Sequence, residues 1–194
     1  MKQKILVFAG STRQGSFNGR LADTVTRQLR EQDVEVTRLN LADYPLPLYN
    51  ADLEREGTPV QALQLKQLFH EHAGWVICSP EYNGSYTGLL KNTIDWISSP
   101  VKGDPQWQDA LKPFAGKVVG LLSASPGQLG GLRSLDPLML LLANLQCWVT
   151  PARYALAQAH EAWDAQGQWL RERDANGVRA VLEQVIWGSQ RLPC

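Results

Sequence analysis

The sequence predicts an α/β fold in which five parallel strands form one sheet with helices on both of its faces. Short apolar runs alternate with longer stretches of helical periodicity along the whole chain, and this alternation is typical of a parallel sheet built from strand–helix–strand units. The runs "KILVFAG" and "GWVICSP" are almost entirely apolar, as expected of strands that helices cover on both sides. The 194 residues contain no repeat, low-complexity tract or linker, so residues 1–194 are predicted to form a single domain.

The first half of the chain is predicted to form two strands, each followed by a helix. "KILVFAG" precedes a helix over Asn18 to about Arg30, in which leucine, alanine and valine recur at helical spacing and Asn18 is the predicted N-cap. "VEVTRL" alternates apolar and polar residues and is predicted to be the second strand. Residues 39–58 are predicted to be a loop that contains proline and tyrosine. The next helix is predicted from about Pro59, a residue suited to a first helical turn, to His72.

The second half is predicted to form three further strands and three further helices. The strands "GWVICSP", "KVVGLLSAS" and "CWVTPARYALA" (the last one interrupted) alternate with helices in "GLLKNTIDWIS", in "GLRSLDPLMLLLANL" and over about Ala175 to Ser189. Pro137 is expected in an early turn of its helix. "HEAWDAQGQW" is predicted to be an exposed turn, because Asp164 and Gly167 favour one.

Five strands in a doubly wound sheet are most simply arranged in the flavodoxin-like order 2-1-3-4-5. In that arrangement a ligand binds where the strand order reverses, at the carboxyl ends of strands 1 and 3. The loops after these two strands are therefore the predicted ligand-binding loops.

Composition and charge argue against several classes of partner. Nineteen basic residues balance nineteen acidic ones, whereas a nucleic-acid or anionic-membrane binder needs a cationic excess. The first apolar run is shorter than the about seven to fifteen residues of a secretory signal, and no run reaches the about twenty apolar residues of a membrane span. Three widely spaced cysteines (Cys78, Cys147 and Cys194) and three histidines without metal-ligand spacing argue against a disulfide framework or a metal site. We expect a cytoplasmic protein with reduced thiols.

The first loop lies in "AGSTRQGSFNGRLA", residues 9–22, and has the composition of a phosphate-binding loop. Glycines such as Gly15 let the backbone turn sharply and approach a ligand closely. Ser11, Ser16 and Asn18 supply neutral donors. Arg13 supplies a charged fork suited to phosphate, and the following helix directs its N-terminal N–H groups to the same place. An ordinary turn with a capping residue is the alternative interpretation of this loop taken alone.

Other kinds of phosphate loop are excluded by pattern. The loop has neither G-x-x-x-x-G-K-[ST] nor G-x-G-x-x-G, which argues against nucleoside triphosphate hydrolysis and against the dinucleotide fingerprint. It contains no cysteine that could act as a phosphatase nucleophile. The loop is therefore predicted to hold a phosphate monoester without cleaving it.

The second loop lies in "PEYNGSYTGLLKNTIDW", after the third strand, and is suited to a flat heterocycle. Pro80 and two glycines set its shape, Tyr82 and Tyr86 offer aromatic surface, and the Asn83 amide both donates and accepts. Backbone N–H groups around residues 82–84 are predicted to contact the edge of such a ring. A phosphate-binding loop beside a loop suited to a flat ring is typical of a mononucleotide site, and in this topology FMN is the predicted cofactor.

These motifs carry a resemblance to a known family. With "GSTRQGSFN" at 10–18, "SPEYNGSYTGLLKNTIDW" at 79–96 and a weaker match in "SASPGQLGGLR" at 123–133, the sequence resembles the NAD(P)H-dependent FMN reductases, which include bacterial quinone, azo-dye and chromate reductases. The resemblance extends from about residue 3 to the last helix. It implies that FMN is surrounded by Ser11, Arg13, Ser16, Phe17 and Asn18 at the phosphate, by Pro80, Glu81, Tyr82, Asn83 and Gly84 at the ring, and by Ser123 or Ser125 from the loop after strand 4.

Some residues near these motifs keep two interpretations. Thr87 stands where the family commonly has proline, and this difference is expected to loosen the loop near the ring without removing a donor. Glu81 suits either a hydrogen bond in the cleft or a surface or oligomer contact. Lys91 suits either the cofactor side or solvent, whereas Asp95 and Trp96 are expected to cap or pack their helix.

The resemblance implies an enzyme that takes electrons from NADH or NADPH and passes them through FMN to small acceptors such as quinones, flavins or azo compounds. A ping-pong order is expected, and no catalytic side chain is assigned because the cofactor carries the chemistry. A homodimer or homotetramer is implied, with the third and fourth helices as interface elements. The acceptor, the choice between NADH and NADPH, and the role of the tryptophan-rich region 107–187 are left open.

Two other functions remain alternatives at this point. One is a flavodoxin-type electron carrier without a substrate of its own, which is disfavoured because such carriers are usually markedly acidic and this chain has a formal charge of zero. The other is a cofactor-free scaffold or regulatory protein that keeps only the fold.

Overall fold

Five parallel strands form one sheet in the order β2-β1-β3-β4-β5, which confirms the predicted fold class and strand order. The computed structural model describes residues 2–192. The strands are β1 (Lys4–Ala9), β2 (Glu35–Leu39), β3 (Gly74–Cys78), β4 (Val118–Ala124) and β5 (Trp148–Leu156).

Helices cover both faces of this sheet. The helices of the described residues are α1 (Phe17–Arg30), α2 (Ala51–Glu56), α3 (Val60–Glu71), α4 (Gly88–Ile97), α5 (Leu135–Asn144) and α6 (Glu172–Arg191). α1 and α6 pack on one face, and α3, α4 and α5 pack on the other. Since the helices after β1 and β3 lie on opposite faces, the loops that lead into them diverge and leave a crevice at the carboxyl end of the sheet.

Strand β1 shows why the sequence favours this layering. Ile5 and Val7 point into the core under α1 and α6, whereas Leu6 and Phe8 point into the core under α3, α4 and α5. All four side chains are fully buried, because alternate residues of a strand face opposite sides of the sheet and both sides are covered. A continuous apolar run is what such a strand requires.

The N-terminus of α1 differs from the prediction, because Ser16 and not Asn18 is the N-cap. The Ser16 hydroxyl accepts a hydrogen bond from the Gly19 N–H at 3.4 Å. Asn18 lies in the first turn and is 3% exposed, with its amide directed across the crevice to the end of β4. Both residue types are good caps, so only the position of the distant partner distinguishes them.

The predicted loop over residues 39–58 contains more regular structure than expected. It includes a 3-10 turn over Leu41–Asp43 and the short helix α2, whose N-cap Asn50 accepts from the Asp52 N–H at 2.8 Å. The Trp96 indole and the Asn92 amide both donate to the Pro47 carbonyl, at 2.8 and 2.9 Å. An asparagine that caps a short turn is a local sequence signal for that turn. The proline content of this stretch nevertheless led to the prediction of a loop.

Segment 159–171 corrects the prediction that "HEAWDAQGQW" is an exposed turn. Trp163 is 5% exposed and stacks on Trp169 with ring centroids 5.2 Å apart, and the Arg20 guanidinium lies 4.7 Å from the Trp163 ring. Residues 164–167 form the predicted turn, and the exposed residues of the segment are His160, Glu161, Ala165, Gln166, Gln168 and Leu170. Burying two indole rings is favourable enough to fold this segment onto α1.

Strand β5 is interrupted as predicted, since its pairing with β4 shifts register between Val119 and Leu121. Pro151 lies in this strand, at the edge of the sheet, where its missing N–H breaks no central ladder. The neighbouring Ala152 N–H donates instead to the Gln184 side chain on α6, at 2.9 Å.

Two of the three cysteines are described, and both are free thiols in the core. Burial raises the pKa of the Cys78 thiol and raises that of Cys147 to about 12, so both stay protonated at neutral pH. Cys194 lies outside the described residues. Between residues 2 and 192, no helix has the length and apolar character to span a bilayer.

Candidate functional site

Two adjoining cavities open at the carboxyl ends of β1, β3 and β4. The small cavity has a volume of about 140 Å³ and lies between the loops after β1 and β3. The large cavity has a volume of about 580 Å³ and lies between the loops after β3 and β4. Glu81 and Ser125 line both cavities, so together the cavities form one extended groove.

The small cavity brings together the residues predicted at the phosphate and three, Pro80, Glu81 and Tyr82, that the resemblance implied at the ring. It is lined by Ser11, Arg13, Ser16, Phe17, Asn18, Pro80, Glu81, Tyr82, Ala124, Ser125 and Pro126. The exposed Arg13 guanidinium makes one long contact, 3.4 Å to the Gln14 carbonyl, and so keeps donors for a ligand. The Ser16 hydroxyl accepts from the helix and retains its own proton to donate. The first N–H groups of α1 have no acceptor within the helix and lie at the same point.

Gly15 shapes this loop without lining the small cavity. Its φ is +66°, in the left-handed region that favours glycine. A Cβ at this position would meet nothing within 4 Å, so the constraint comes from the backbone and not from crowding. The residue allows the chain to reverse between β1 and α1.

Asn18 lines the small cavity, and its amide already makes two hydrogen bonds within the protein. Its Nδ2 donates to the Ala124 carbonyl at 2.8 Å, and its Oδ1 accepts from the Ala124 N–H at 3.0 Å. This pair ties the start of α1 to the last residue of β4. In this structure Asn18 therefore positions the wall of the cavity, and its second Nδ2 hydrogen is left for the predicted phosphate contact.

The loop after β3 forms a tight turn beside the large cavity. Tyr82 and Ser85 exchange backbone hydrogen bonds at 2.9 and 3.1 Å, and Asn83 and Gly84 between them have φ values of +53° and +79°. Positive φ at both central residues is what a type I′ turn requires, and Asn-Gly favours it. The Tyr82 N–H is thus occupied, so of the three predicted backbone donors the Asn83 and Gly84 N–H groups are left for a ligand.

Thr87 tightens this loop, contrary to the expectation that it loosens it. Its hydroxyl donates to the Gly10 carbonyl at 2.7 Å and accepts from the Leu90 N–H at 3.2 Å as the N-cap of α4. The side chain is 2% exposed. A proline would have no such hydroxyl, so here the threonine links the loop after β1 directly to α4.

The loop after β4 forms most of the large cavity and contains residues that the sequence analysis missed. The cavity is lined by Glu81, Asn83, Gly84, Ser125, Gly127, Gln128, Leu129, Gly130, Gly131 and Arg133. Ser123 is fully buried, lines neither cavity, and donates to the Gly130 carbonyl at 2.8 Å. A Cβ on Gly130 would lie 2.6 Å from the Ala157 nitrogen. The "GQLGGLR" sequence was the available signal, since paired glycines permit this close approach and an arginine follows them.

Glu81 and Arg133 form an ion pair across the groove. One Glu81 oxygen accepts from the Arg133 side chain, with Nη2 at 2.6 Å and Nε at 2.7 Å, and the other accepts from the Arg133 backbone N–H at 3.1 Å. Glu81 therefore makes the hydrogen bond in the cleft that was one of its two predicted interpretations. Lys91 instead pairs with Asp95 along α4, at 2.6 Å, and lines neither cavity.

Comparisons with known proteins agree with this fold. Residues 3–161 match the family described as NADPH-dependent FMN reductase. The chain is 37% identical to the quinone reductase of Escherichia coli K12 over 76% of this chain and 73% of that protein. It is 28% identical to the NAD(P)H-dependent FMN reductase PA1204 of Pseudomonas aeruginosa over 95% of this chain and 94% of that protein. The structure of FerB, a flavoenzyme NAD(P)H:(acceptor) oxidoreductase from Paracoccus denitrificans, is similar with a TM-score of 0.81 and 28% identity, over 97% of this chain and 98% of that one.

Proposed function

The chain belongs to the NADPH-dependent FMN reductase family, and from this premise we propose that its two adjoining cavities hold FMN and accept small electron acceptors, with quinones the first class to test. The small cavity takes the phosphate and the large cavity takes the ring. The observation that carries this proposal is the spare guanidinium of Arg13 beside the N-cap hydroxyl of Ser16, next to a larger cavity with open backbone donors.

The residues present fit FMN at both ends of the groove. A phosphate monoester needs positive charge and directed donors, and Arg13, Ser16 and the first turn of α1 provide these. A volume of about 580 Å³ lies within the range of roughly 300–1,000 Å³ that ligand pockets occupy. The Asn83 and Gly84 N–H groups provide donors for the polar edge of a planar ring system.

FMN, when bound, supplies the two-electron redox chemistry, and the protein supplies position and polarity. Arg13 and Ser16 bind the phosphate and set the depth of the cofactor. The Asn83 and Gly84 N–H groups stabilise negative charge on the ring, because fixed donors need no reorganisation when charge develops. No side chain of the groove is assigned as a nucleophile or base.

The open mouth of the large cavity favours substrates that bind one after the other. Tyr82 and Leu129 are 55% and 51% exposed beside the groove and offer apolar surface to a flat molecule. A nicotinamide and a quinone both need this one face, so the nucleotide leaves before the acceptor binds. Flavins and azo compounds are further acceptors of the same flat, apolar kind.

The test begins with the absorption spectrum of the purified protein and an FMN titration. Arg13→Ala is expected to raise the dissociation constant of FMN about tenfold to a hundredfold, as for one charge-assisted contact. Arg30→Ala, a change of an exposed arginine at the far end of α1, is the control and leaves affinity unchanged. Equal FMN affinity in the Arg13 variant and the wild type contradicts the phosphate assignment.

Steady-state kinetics then test the activity. Oxidation of NADPH or NADH is followed against quinone, flavin and azo acceptors, and parallel double-reciprocal lines are expected for the ping-pong order. Negligible turnover with every acceptor by an FMN-loaded protein would favour the electron carrier over the enzyme.

We also propose that the chain assembles as a homodimer or homotetramer through α4 and α5, which are the predicted third and fourth helices. Leu48 is 82% exposed in the loop that Asn92 and Trp96 of α4 hold, and Leu140 of α5 is 65% exposed. Large apolar side chains with this exposure favour an interface at these helices. Light scattering gives the mass, and Leu48→Lys is expected to shift it toward the monomer; an unchanged mass would place the interface elsewhere.

A further inference from the structure

We infer that Arg133 acts by cancelling the charge of Glu81, so that a carboxylate at the junction of the two cavities opposes neither the binding nor the reduction of FMN. The inference rests on the proposed function and concerns a residue pair that has no direct role in holding the phosphate. It makes Arg133 a positioning and charge-compensating residue for the cofactor site.

The geometry places one carboxylate where it affects the whole groove. The Glu81 side chain is 9% exposed, and the residue lines both the small and the large cavity. The Arg133 side chain is 67% exposed and approaches from the solvent side. A charge with little access to water is weakly screened, so its effect on nearby groups depends mainly on its partner.

The charge of Glu81 would affect both the binding and the reduction of FMN. The phosphate is anionic, and two-electron reduction increases the electron density on the ring. An unpaired Glu81 carboxylate beside both cavities would repel the phosphate and disfavour the reduced ring. The Arg133 guanidinium, within 2.7 Å of one carboxylate oxygen through two nitrogens, removes this penalty because it neutralises the pair locally.

The Glu81 carboxylate has a second role, which is to hold the backbone of the loop after β4. The second Glu81 oxygen accepts from the Arg133 backbone N–H at 3.1 Å, at the 3-10 turn over Leu132–Ser134 that follows the double glycine. Glu81 therefore anchors the loop after β4 to the loop after β3. A glutamine can accept the same hydrogen bond without the charge, which allows anchoring and charge to be tested separately.

The experiment compares Arg133→Gln, Glu81→Gln and the double variant with the wild type. The FMN dissociation constant and the two-electron midpoint potential of bound FMN are measured for each. Arg133→Gln is expected to weaken FMN binding tenfold or more and to lower the potential, because it leaves the carboxylate unpaired. Glu81→Gln is expected to change affinity by less than about threefold, since one backbone hydrogen bond is kept, and to raise the potential. The double variant returns both quantities close to the wild-type values.

A second ion pair provides the matched control. Arg153 pairs with Asp136 between β5 and α5, and neither residue lines either cavity. Arg153→Gln removes the same type of charge from the same type of pair and is expected to leave the affinity and the potential unchanged.

Two outcomes overturn the inference. If Glu81→Gln weakens FMN binding as strongly as Arg133→Gln and the double variant does not recover FMN affinity, the pair acts by holding the two loops together and not by its charge. If the potential is the same in all variants, the charge is not felt by the ring. If Arg133→Gln fails to fold, the double variant tests the inference in its place. An FMN affinity of the double variant far below that of Glu81→Gln contradicts charge compensation. A wild-type protein that binds no FMN defeats the proposed function itself, which is a separate result.

Discussion

Replacing Asn18 by alanine is expected to destabilise the protein by about 2–4 kcal/mol and to weaken FMN binding at the same time. The Asn18 side chain is 3% exposed and pairs with both polar groups of Ala124, at 2.8 and 3.0 Å. Its removal leaves a buried N–H and a buried carbonyl at the end of β4 without partners, at about 1–3 kcal/mol each, partly offset where the site relaxes. The next residue, Ser125, lines both cavities, so the loosened backbone also disturbs the cofactor site.

Urea denaturation of the FMN-free protein measures the first effect, and an FMN fluorescence titration measures the second. Asn92→Ala is the matched control, because the Asn92 amide likewise accepts from one backbone group and donates to another, at 2.7 and 2.9 Å, and it lines neither cavity. This control is expected to lose stability but to keep its FMN affinity. An Asn18→Ala protein within about 0.5 kcal/mol of wild-type stability, the usual spread of neutral substitutions, would refute the reasoning.

Two predictions concern regions away from the groove. Lys66 is buried under the end of α4, and desolvation lowers its pKa from 10.5 to about 8. Between about pH 8 and pH 10.5 the unfolded chain therefore binds more protons than the folded protein. The stability of the wild type relative to Lys66→Met is expected to rise by up to about 3 kcal/mol across this range. Equal pH dependence of the urea midpoints in the two proteins would contradict this. Gly177→Ala places a Cβ 2.2 Å from the Tyr154 ring, whose hydroxyl donates to Asp174, so a loss of about 1–3 kcal/mol is expected. Gly19→Ala, where the nearest atom is 3.7 Å away, is its control, and a similar loss in both would show that crowding is not the cause.

Much of the fold could be predicted from the sequence because its signals are local. The strand β1 is buried on both faces, so its apolar run alone identifies it, and helix α1 follows from leucine and valine at helical spacing. The order of strands and helices then limits the sheet topology to a few possibilities. The two loops of the candidate site were found in the same way, since glycine, serine, arginine and asparagine next to strand ends are visible without any knowledge of distant contacts.

What each polar side chain binds was decided only by the tertiary structure. Asn18 is bonded to a residue 106 positions away, Arg133 to one 52 positions away, and Thr87 to one 77 positions away. A sequence offers each of these groups many equivalent donors and acceptors, and the choice among them depends on which chain segments the packing brings within 3 Å. The sequence by itself therefore determined the five strands, the helices other than α2 and the composition of the two ligand loops. The folded structure decided which residues of those loops face the groove and which hold it open, because that assignment depends on long-range proximity and not on local periodicity.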